Sequence, residues 1–222
     1  MTEFFSPDLW TGLIGPGIRE TVYMLLVSVI FSHAFGIPMG ILLVITSPGH
    51  IWEKKTLNKV LGFVANLGRA FPFIILLVVI VPVTRFLVGT TIGPVGAAVP
   101  LTFAAIPFVG RMVEQSLKEV PWGVVESALS MGASSWQVVT KVLLPESLPS
   151  LVLGVTITTI TLIGYSAMAG VVGGGGLGDI AIRYGYHRRD PVKLWISVIL
   201  ILLMVQLSQT VGDSFAKRLD KR

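Results

Sequence analysis

The sequence predicts an all-α, polytopic membrane protein with five transmembrane helices, and three observations carry that prediction. Apolar residues make up 53% of the 222-residue chain and charged residues 13%, with a mean hydropathy of +0.81. That balance lies outside ordinary soluble domains. The apolar residues fall into five windows, 18–45, 57–83, 95–110, 147–172 and 192–211, which approach or exceed the roughly 20 residues a bilayer core requires. Backbone N–H and C=O groups cannot stay unpaired in hydrocarbon, and no alternating strand-length segments suggest a barrel, so helices are the expected form.

Residues 1–10 hold acids but no basic residue and no apolar core before a small-residue cleavage site, so no secretory signal peptide is expected and the first helix itself directs insertion. The second window contains Arg69. If helix two starts below the bilayer, this arginine lies at the membrane interface with its stem along lipid. A substrate ligand and an ion pair with an acid of a neighbouring loop remain open as alternatives. A kink is expected near Pro72 or Pro82.

Between the third and fourth windows, 120–145 form the longest amphiphilic interruption. Pro121 suits the first turn of a helix that presents Val124, Val125, Ala128 and Leu129 on one side. Gly132 can take the left-handed conformation that ends a helix. Ser134 followed by Gln137 reads as a capping box opening a second helix with Trp136, Val139, Val142 and Leu143, which Pro145 ends or kinks. Small Ser127, Ala128 and Ala133 leave a low surface for a partner's groove, and Glu126 offers a charge at its rim. An amphipathic hairpin lying on lipid is the competing reading.

In the fourth window Thr158, Thr161, Tyr165, Met168 and Val172 recur at helical spacing on one side. That face either packs against a second copy of the chain or lines a path through the membrane, with Tyr165 and Met168 as an apolar gate. The glycine-dominated stretch 170–178 matches a dinucleotide fingerprint numerically at Gly173, Gly175 and Gly178. No strand and no crossover unit surround it, so the match carries no nucleotide site. A flexible turn near Asp179 is expected there.

Several function classes drop out. The chain has no cysteine, and its histidines His33, His50 and His187 are not spaced with carboxylates as metal ligands. No phosphate-binding loop occurs, so no ATP hydrolysis is expected here. The net charge of +5 sits at helix ends rather than in a stripe, which argues against nucleic acid. Glu114 with Lys118, and Asp213 with Lys217, read as ordinary helix pairs worth a few tenths of a kcal/mol.

The spacing Glu126-Ser127-Ala128, Gly132 and Val142-Leu143-Leu144-Pro145 resembles the EAA loop of bacterial ABC importer permeases, with Ser127 standing for an alanine and Val142 for an isoleucine. Beyond the loop, Arg69-Ala70-Phe71-Pro72-Phe73, Pro107-Phe108, Arg111-Met112-Val113-Glu114 and Gly164-Tyr165-Ser166-Ala167-Met168 look like the type I permease subunit of the bacterial methionine ABC importer. The resemblance implies one transmembrane domain over 12–213, a cytoplasmic coupling loop over 120–145 between helices three and four, and docking of a separate ATPase on Glu126, Ser127, Ala128, Gly132 and Ala133. It further implies a homodimer, two ATPase subunits that carry ATP-Mg, an extracytoplasmic methionine-binding protein, and no cofactor on this chain.

With the loop in the cytoplasm, Lys54, Lys55, Lys59, Arg111, Lys118, Lys141, Lys217, Arg218, Lys221 and Arg222 lie inside. Arg19, Arg85, Arg183, Arg188, Arg189 and Lys193 lie outside. The excess of inner cations places the N-terminus outside and the C-terminus in the cytoplasm of the bacterial inner membrane. A permease for another amino acid or small nutrient would share the loop. An ion-coupled transporter would need ionisable residues near midplane, and a membrane scaffold would need neither feature.

Overall fold

The computed structural model describes residues 7–219, which are helical with no strand. Residues 1–6, the start of the stretch in which no signal peptide is expected, lie outside the described residues, as do Lys221 and Arg222. The elements are α1 (Pro7–Ile45), α2 (Lys55–Ala70), α3 (Phe73–Val79), α4 (Val81–Val88), α5 (Gly93–Lys118) and α6 (Trp122–Ser130). Next comes α7, which opens at Ser135–Val138 and continues through a wide turn at Val139–Leu143 to Leu144–Glu146. After α8 (Leu148–Val171), the short α9 (Gly176–Asp179) runs on through Ile180–His187, and α10 (Pro191–Leu219) closes the described chain.

Helices α1, α5, α8 and α10 are each long and apolar enough to span a membrane. The fifth expected helix differs from the other four: α2 and α3 together meet the same test, but they are bent by 102° at the break between them. Proline chemistry explains the break. Pro72 has no N–H to donate, and Phe71 before it takes an extended conformation, φ −74° and ψ 121°, because the proline ring disfavours the helical region for its predecessor. The kink expected near Pro72 is therefore a right-angled corner, and the expected single helix 57–83 is three segments.

The α1–α5 contact organises the domain. On α1 the residues Thr21, Ser28, Ser32, Gly36 and Gly40 are buried and follow mostly four-residue spacing, so they form one small-residue stripe. A Cβ on Gly36 would stand 2.6 Å from Val109 Cβ, and one on Gly40 would stand 2.5 Å from Val113 Cβ and 2.6 Å from the Gly110 carbonyl oxygen. Small residues let two helix backbones approach where lipid offers no hydrophobic drive between them. The Ser28 hydroxyl also donates to Ala98 O of α5 at 3.2 Å.

Three apolar clusters stack along this seam. The middle one joins Met24 and Leu25 of α1, Phe73 and Leu77 of α3, Leu101 of α5, and Leu162 and Ile163 of α8. Towards one end, Val44, Val109, Val113 and Leu117 pack with Val125, Ala128, Val138, Val139 and Leu143 of α6 and α7. At the other end Leu9, Ile14, Leu177, Ile180 and Ile196 close the bundle.

At the α6–α7 end Glu114 is only 8% exposed. It accepts from Arg111 Nη1 at 2.5 Å and Lys118 Nζ at 2.7 Å. Arg111 also donates to Gly62 O at 2.9 Å and Asn66 Oδ1 at 2.8 Å, which ties α2 to α5 beside the close fit of Gly68 on Pro107. The expected surface pair Glu114–Lys118 is thus part of a half-buried node. The other expected pair is absent: Asp213 accepts from Gln209 Nε2 at 2.9 Å rather than from Lys217.

Gly40→Leu is expected to force α1 from α5, at about 1–3 kcal/mol for overpacking. It should lower the thermal midpoint in detergent, whereas Gly12→Ala, with nothing within 4 Å of its Cβ, should leave it unchanged. Glu114→Gln removes the shared carboxylate and strands a half-buried guanidinium, so it should cost about 2 kcal/mol. Lys118→Gln, at the exposed end, should cost under about 1 kcal/mol in the same measurement.

Candidate coupling surface and translocation path

Helices α6 and α7 are ordered by their own hydrogen bonds. Pro121 sits one position before the first turn of α6, as its extended N-cap with ψ 134°, rather than inside the turn. The helix ends at Gly132, φ +83°, where Gly132 N–H donates to Leu129 O at 2.9 Å and Ala133 N–H donates to Ala128 O at 3.1 Å. This is the Schellman pattern, and its left-handed residue favours glycine. One residue on, Ser134 and Gln137 form the expected capping box: Ser134 N–H donates to Gln137 Oε1 at 2.8 Å and Gln137 N–H to Ser134 Oγ at 3.3 Å. The turn and the box together satisfy the backbone groups on both sides of the break.

The exposed side of this loop is not the one that helical spacing alone suggests. Val125, Ala128, Val139 and Leu143 are buried, while Val124 and Leu129 are exposed. Trp136 is 73% exposed and Met131 82%. Of the expected docking residues, Glu126, Ser127 and Gly132 are exposed, Ala133 is half-buried and Ala128 lies inside. The Ser127 hydroxyl donates to Gly123 O at 2.7 Å, so it is satisfied within its own helix. The surface mixes polar and small residues with exposed apolar side chains, of which Met131 and Trp136 project furthest.

A second contact backs the loop. The ring of His50, in the turn after α1, meets Trp122 of α6 edge-on at 5.3 Å between centroids. Burial first and Lys118 second hold the imidazole below its usual pKa, which favours the neutral ring that packs on indole. Asn58 Nδ2 fixes the same turn through Leu43 O at 2.7 Å and Thr46 Oγ1 at 3.1 Å.

Deeper in the fold, Thr158, Thr161 and Tyr165 of α8 line one cavity of about 200 Å³ with Arg69, Phe71, Phe73 and Phe108. Thr158 is 1% exposed and donates to Gly154 O at 2.8 Å, as Thr161 does to Ile157 O at 2.8 Å. Tyr165 stacks on Phe73 with centroids 4.5 Å apart and planes 3° from parallel, a contact across the corner that Pro72 makes. Met168, expected beside them, does not line this cavity and is 37% exposed. A neighbouring cavity of about 300 Å³ is lined by Arg69, Phe108, Arg111, Met112, Glu114, Gln115 and Lys118. Helical spacing points to Thr158, Thr161 and Tyr165 but not to the three phenylalanines, for which the segments Arg69-Ala70-Phe71-Pro72-Phe73 and Pro107-Phe108 are the available signal.

The glycine stretch is packed, contrary to the flexible turn expected of it. Gly174, Gly176, Leu177, Gly178 and Asp179 are buried. Glu20 Oε2 accepts from Gly176 N–H at 2.7 Å, Thr21 Oγ1 accepts from Leu177 N–H at 2.9 Å, and Asp179 pairs with Arg183. Among the described residues no group of His, Cys, Asp and Glu is placed to hold a metal ion.

Residues 36–222 match the family described as the binding-protein-dependent transport system inner membrane component. A probable D-methionine transport system permease protein, MetI, of Pasteurella multocida is 49% identical over 98% of this chain and 100% of its own. The methionine import system permease protein MetP of Bacillus subtilis is 42% identical over the full length of both. Among solved structures, a chain of the MetNI methionine ABC transporter in inward-facing conformations superposes with a TM-score of 0.95 at 44% identity, covering 98% of this chain and 100% of that one. A chain of an amino acid ABC transporter shares the fold at a TM-score of 0.78 and 18% identity, over 97% and 98% of the two chains. With its membrane-length helices and a match over most of its length, this chain belongs to the family of binding-protein-dependent transport system inner membrane components.

Proposed function

We propose that this chain is the permease subunit of an ATP-driven methionine importer of the bacterial inner membrane. The observation that carries the reading is similarity along essentially the whole chain to methionine permeases of two distant bacteria. In this reading two copies form the path, two separate ATPase subunits carry ATP-Mg, and a methionine-binding protein delivers cargo outside. The chain is a transport subunit and performs no hydrolysis. The transmembrane domain extends over 12–213, with the N-terminus outside and the C-terminus in the cytoplasm. Residues 120–145 couple to the ATPase through Glu126, Ser127, Ala128, Gly132 and Ala133.

The packing supports a mechanical route. Val125, Ala128, Val138, Val139 and Leu143 of the loop share one apolar cluster with the ends of α1 and α5. A displacement of α6 and α7 therefore moves α5, whose Phe108 faces the cavity, and α8, which follows α7 after one residue. Close-packed interiors transmit such shifts rather than absorbing them. Thr158, Thr161 and Tyr165 form the wall of the path, and Met168 lies further along α8 as part of the gate. The aromatic lining suits a thioether side chain, since sulfur–ring contacts are favourable by about 0.3–1.5 kcal/mol.

Uptake of labelled methionine into importer-deficient cells, with the cognate ATPase and binding protein co-expressed, tests both parts. Wild type is expected to show saturable uptake competed by unlabelled methionine. Gly132→Trp, at equal membrane abundance, should lose it, because the left-handed turn costs a side chain about 1–2 kcal/mol and the bulk obstructs docking. Gly132→Asn, which tolerates φ > 0, should retain most of it. An assembled wild-type complex that hydrolyses ATP without taking up methionine rejects methionine as cargo; full uptake by Gly132→Trp rejects the coupling role.

A further inference from the structure

Arg69 is exposed in the last turn of α2 and makes no ion pair or hydrogen bond among the described residues. Its neighbours differ. The Glu114 carboxylate is shared by Arg111 and Lys118. Arg69 and Phe108 line both the cavity of about 200 Å³ that holds Thr158, Thr161 and Tyr165 and the cavity of about 300 Å³ beside the Glu114 node. Arg69, a cation with no carboxylate partner among the described residues, thus stands where the two spaces share a wall. Ionisable groups that face a cavity in a membrane domain mark substrate paths, and a cation with no carboxylate of its own is open to an anion there.

We propose that Arg69 is the carboxylate-recognising residue of the path, pairing transiently with the α-carboxylate of an amino acid as it passes from one cavity to the other. The inference rests on the import reading above. A free amino acid is a zwitterion, and its carboxylate leaves water readily only where a charged donor replaces it. The guanidinium fork matches a carboxylate with two parallel N–H···O bonds. Two threonines of the same cavity complement the other charge: the hydroxyl hydrogens of Thr158 and Thr161 are engaged by Gly154 O and Ile157 O, which leaves their oxygen lone pairs to accept from the ammonium group. The aromatic rings of that lining take the side chain. The corner at Phe71 and Pro72 positions Arg69, since it ends α2 where the cavity begins.

The test uses the complete importer in proteoliposomes: this chain, its ATPase and its binding protein, with labelled methionine. Arg69→Gln is expected to lower maximal transport about tenfold or more, the scale of a lost charge-assisted hydrogen bond. The apparent KM for the loaded binding protein and the stimulated ATP hydrolysis should stay unchanged, so the ATP consumed per methionine rises by the same factor. Arg69→Lys keeps the charge without the fork and should fall only about threefold. Transport by Arg69→Gln at the wild-type ATP cost overturns the proposal. So does a parallel loss of transport and ATP hydrolysis in both variants, which marks a structural role. Should Arg69→Gln fail to assemble, Arg69→Lys decides: a raised ATP cost per methionine upholds the proposal and an unchanged one overturns it. A wild-type complex that hydrolyses ATP but moves no methionine instead overturns the import reading, and with it the cargo assigned to Arg69.

Discussion

Close approach of α1 to α5 is the constraint on which the other contacts depend. Gly36 and Gly40 leave no room for a side chain against Val109, Val113 and the Gly110 carbonyl, so the two backbones run together along much of their length. In lipid this contact draws on dispersion and on a polar bond such as Ser28 to Ala98 O, not on release of water. Once the seam is set, α5 offers one flank to α2 through Pro107 and Arg111 and another to α8 through Ser116, which accepts from Ser150 at 2.9 Å. The bundle is organised around a pair of helices rather than around a central core.

Polar groups are placed where a membrane protein can accommodate them. Most threonine and serine hydroxyls on the long helices donate to carbonyls three or four residues back, as in Thr158, Thr161, Ser197 and Ser208. Charge is concentrated at the ends. One end carries the Arg111–Glu114–Lys118 node, and the other carries Glu20 on the Gly176 amide and Asp179 with Arg183. Each of these three acids has a donor, Glu114 and Asp179 on their own helices and Glu20 across to the Gly176 amide, whereas Arg69 has no carboxylate partner among the described residues.

The helical class, the positions of the straight spans and the local punctuation of the loop were legible in the residues. Gly132 and the Ser134–Gln137 pair act within a few residues, where sequence spacing and geometry are nearly the same thing. On α8 the spacing brought Thr158, Thr161 and Tyr165 together for the same reason, but not Met168 and Val172, which lie off the cavity. Three features were not legible. Hydropathy averages over a window and cannot register that Pro72 turns α2 and α3 through 102°. The glycines of 170–178 carry the composition of a flexible turn, yet several are excluded from bearing side chains by partners far away in sequence, such as Glu20 and Thr21. Which side of α6 and α7 is buried depends on where α1 and α5 end, so Trp136 and Leu129 sit outside despite apolar spacing.

The self-contained hydrogen bonding of the α6–α7 break bears on biogenesis. Because the Schellman turn and the capping box meet the backbone's needs from within, the loop needs no second protein to become ordered. Whatever docks on it meets a finished surface and bears no entropy of folding that surface. In the coupling role proposed above, insertion of the chain into the membrane and recruitment of a separate ATPase are then separable events. The second can be fast, reversible and governed by encounter, so an inserted chain can wait for its partners without exposing an unfolded segment to proteases.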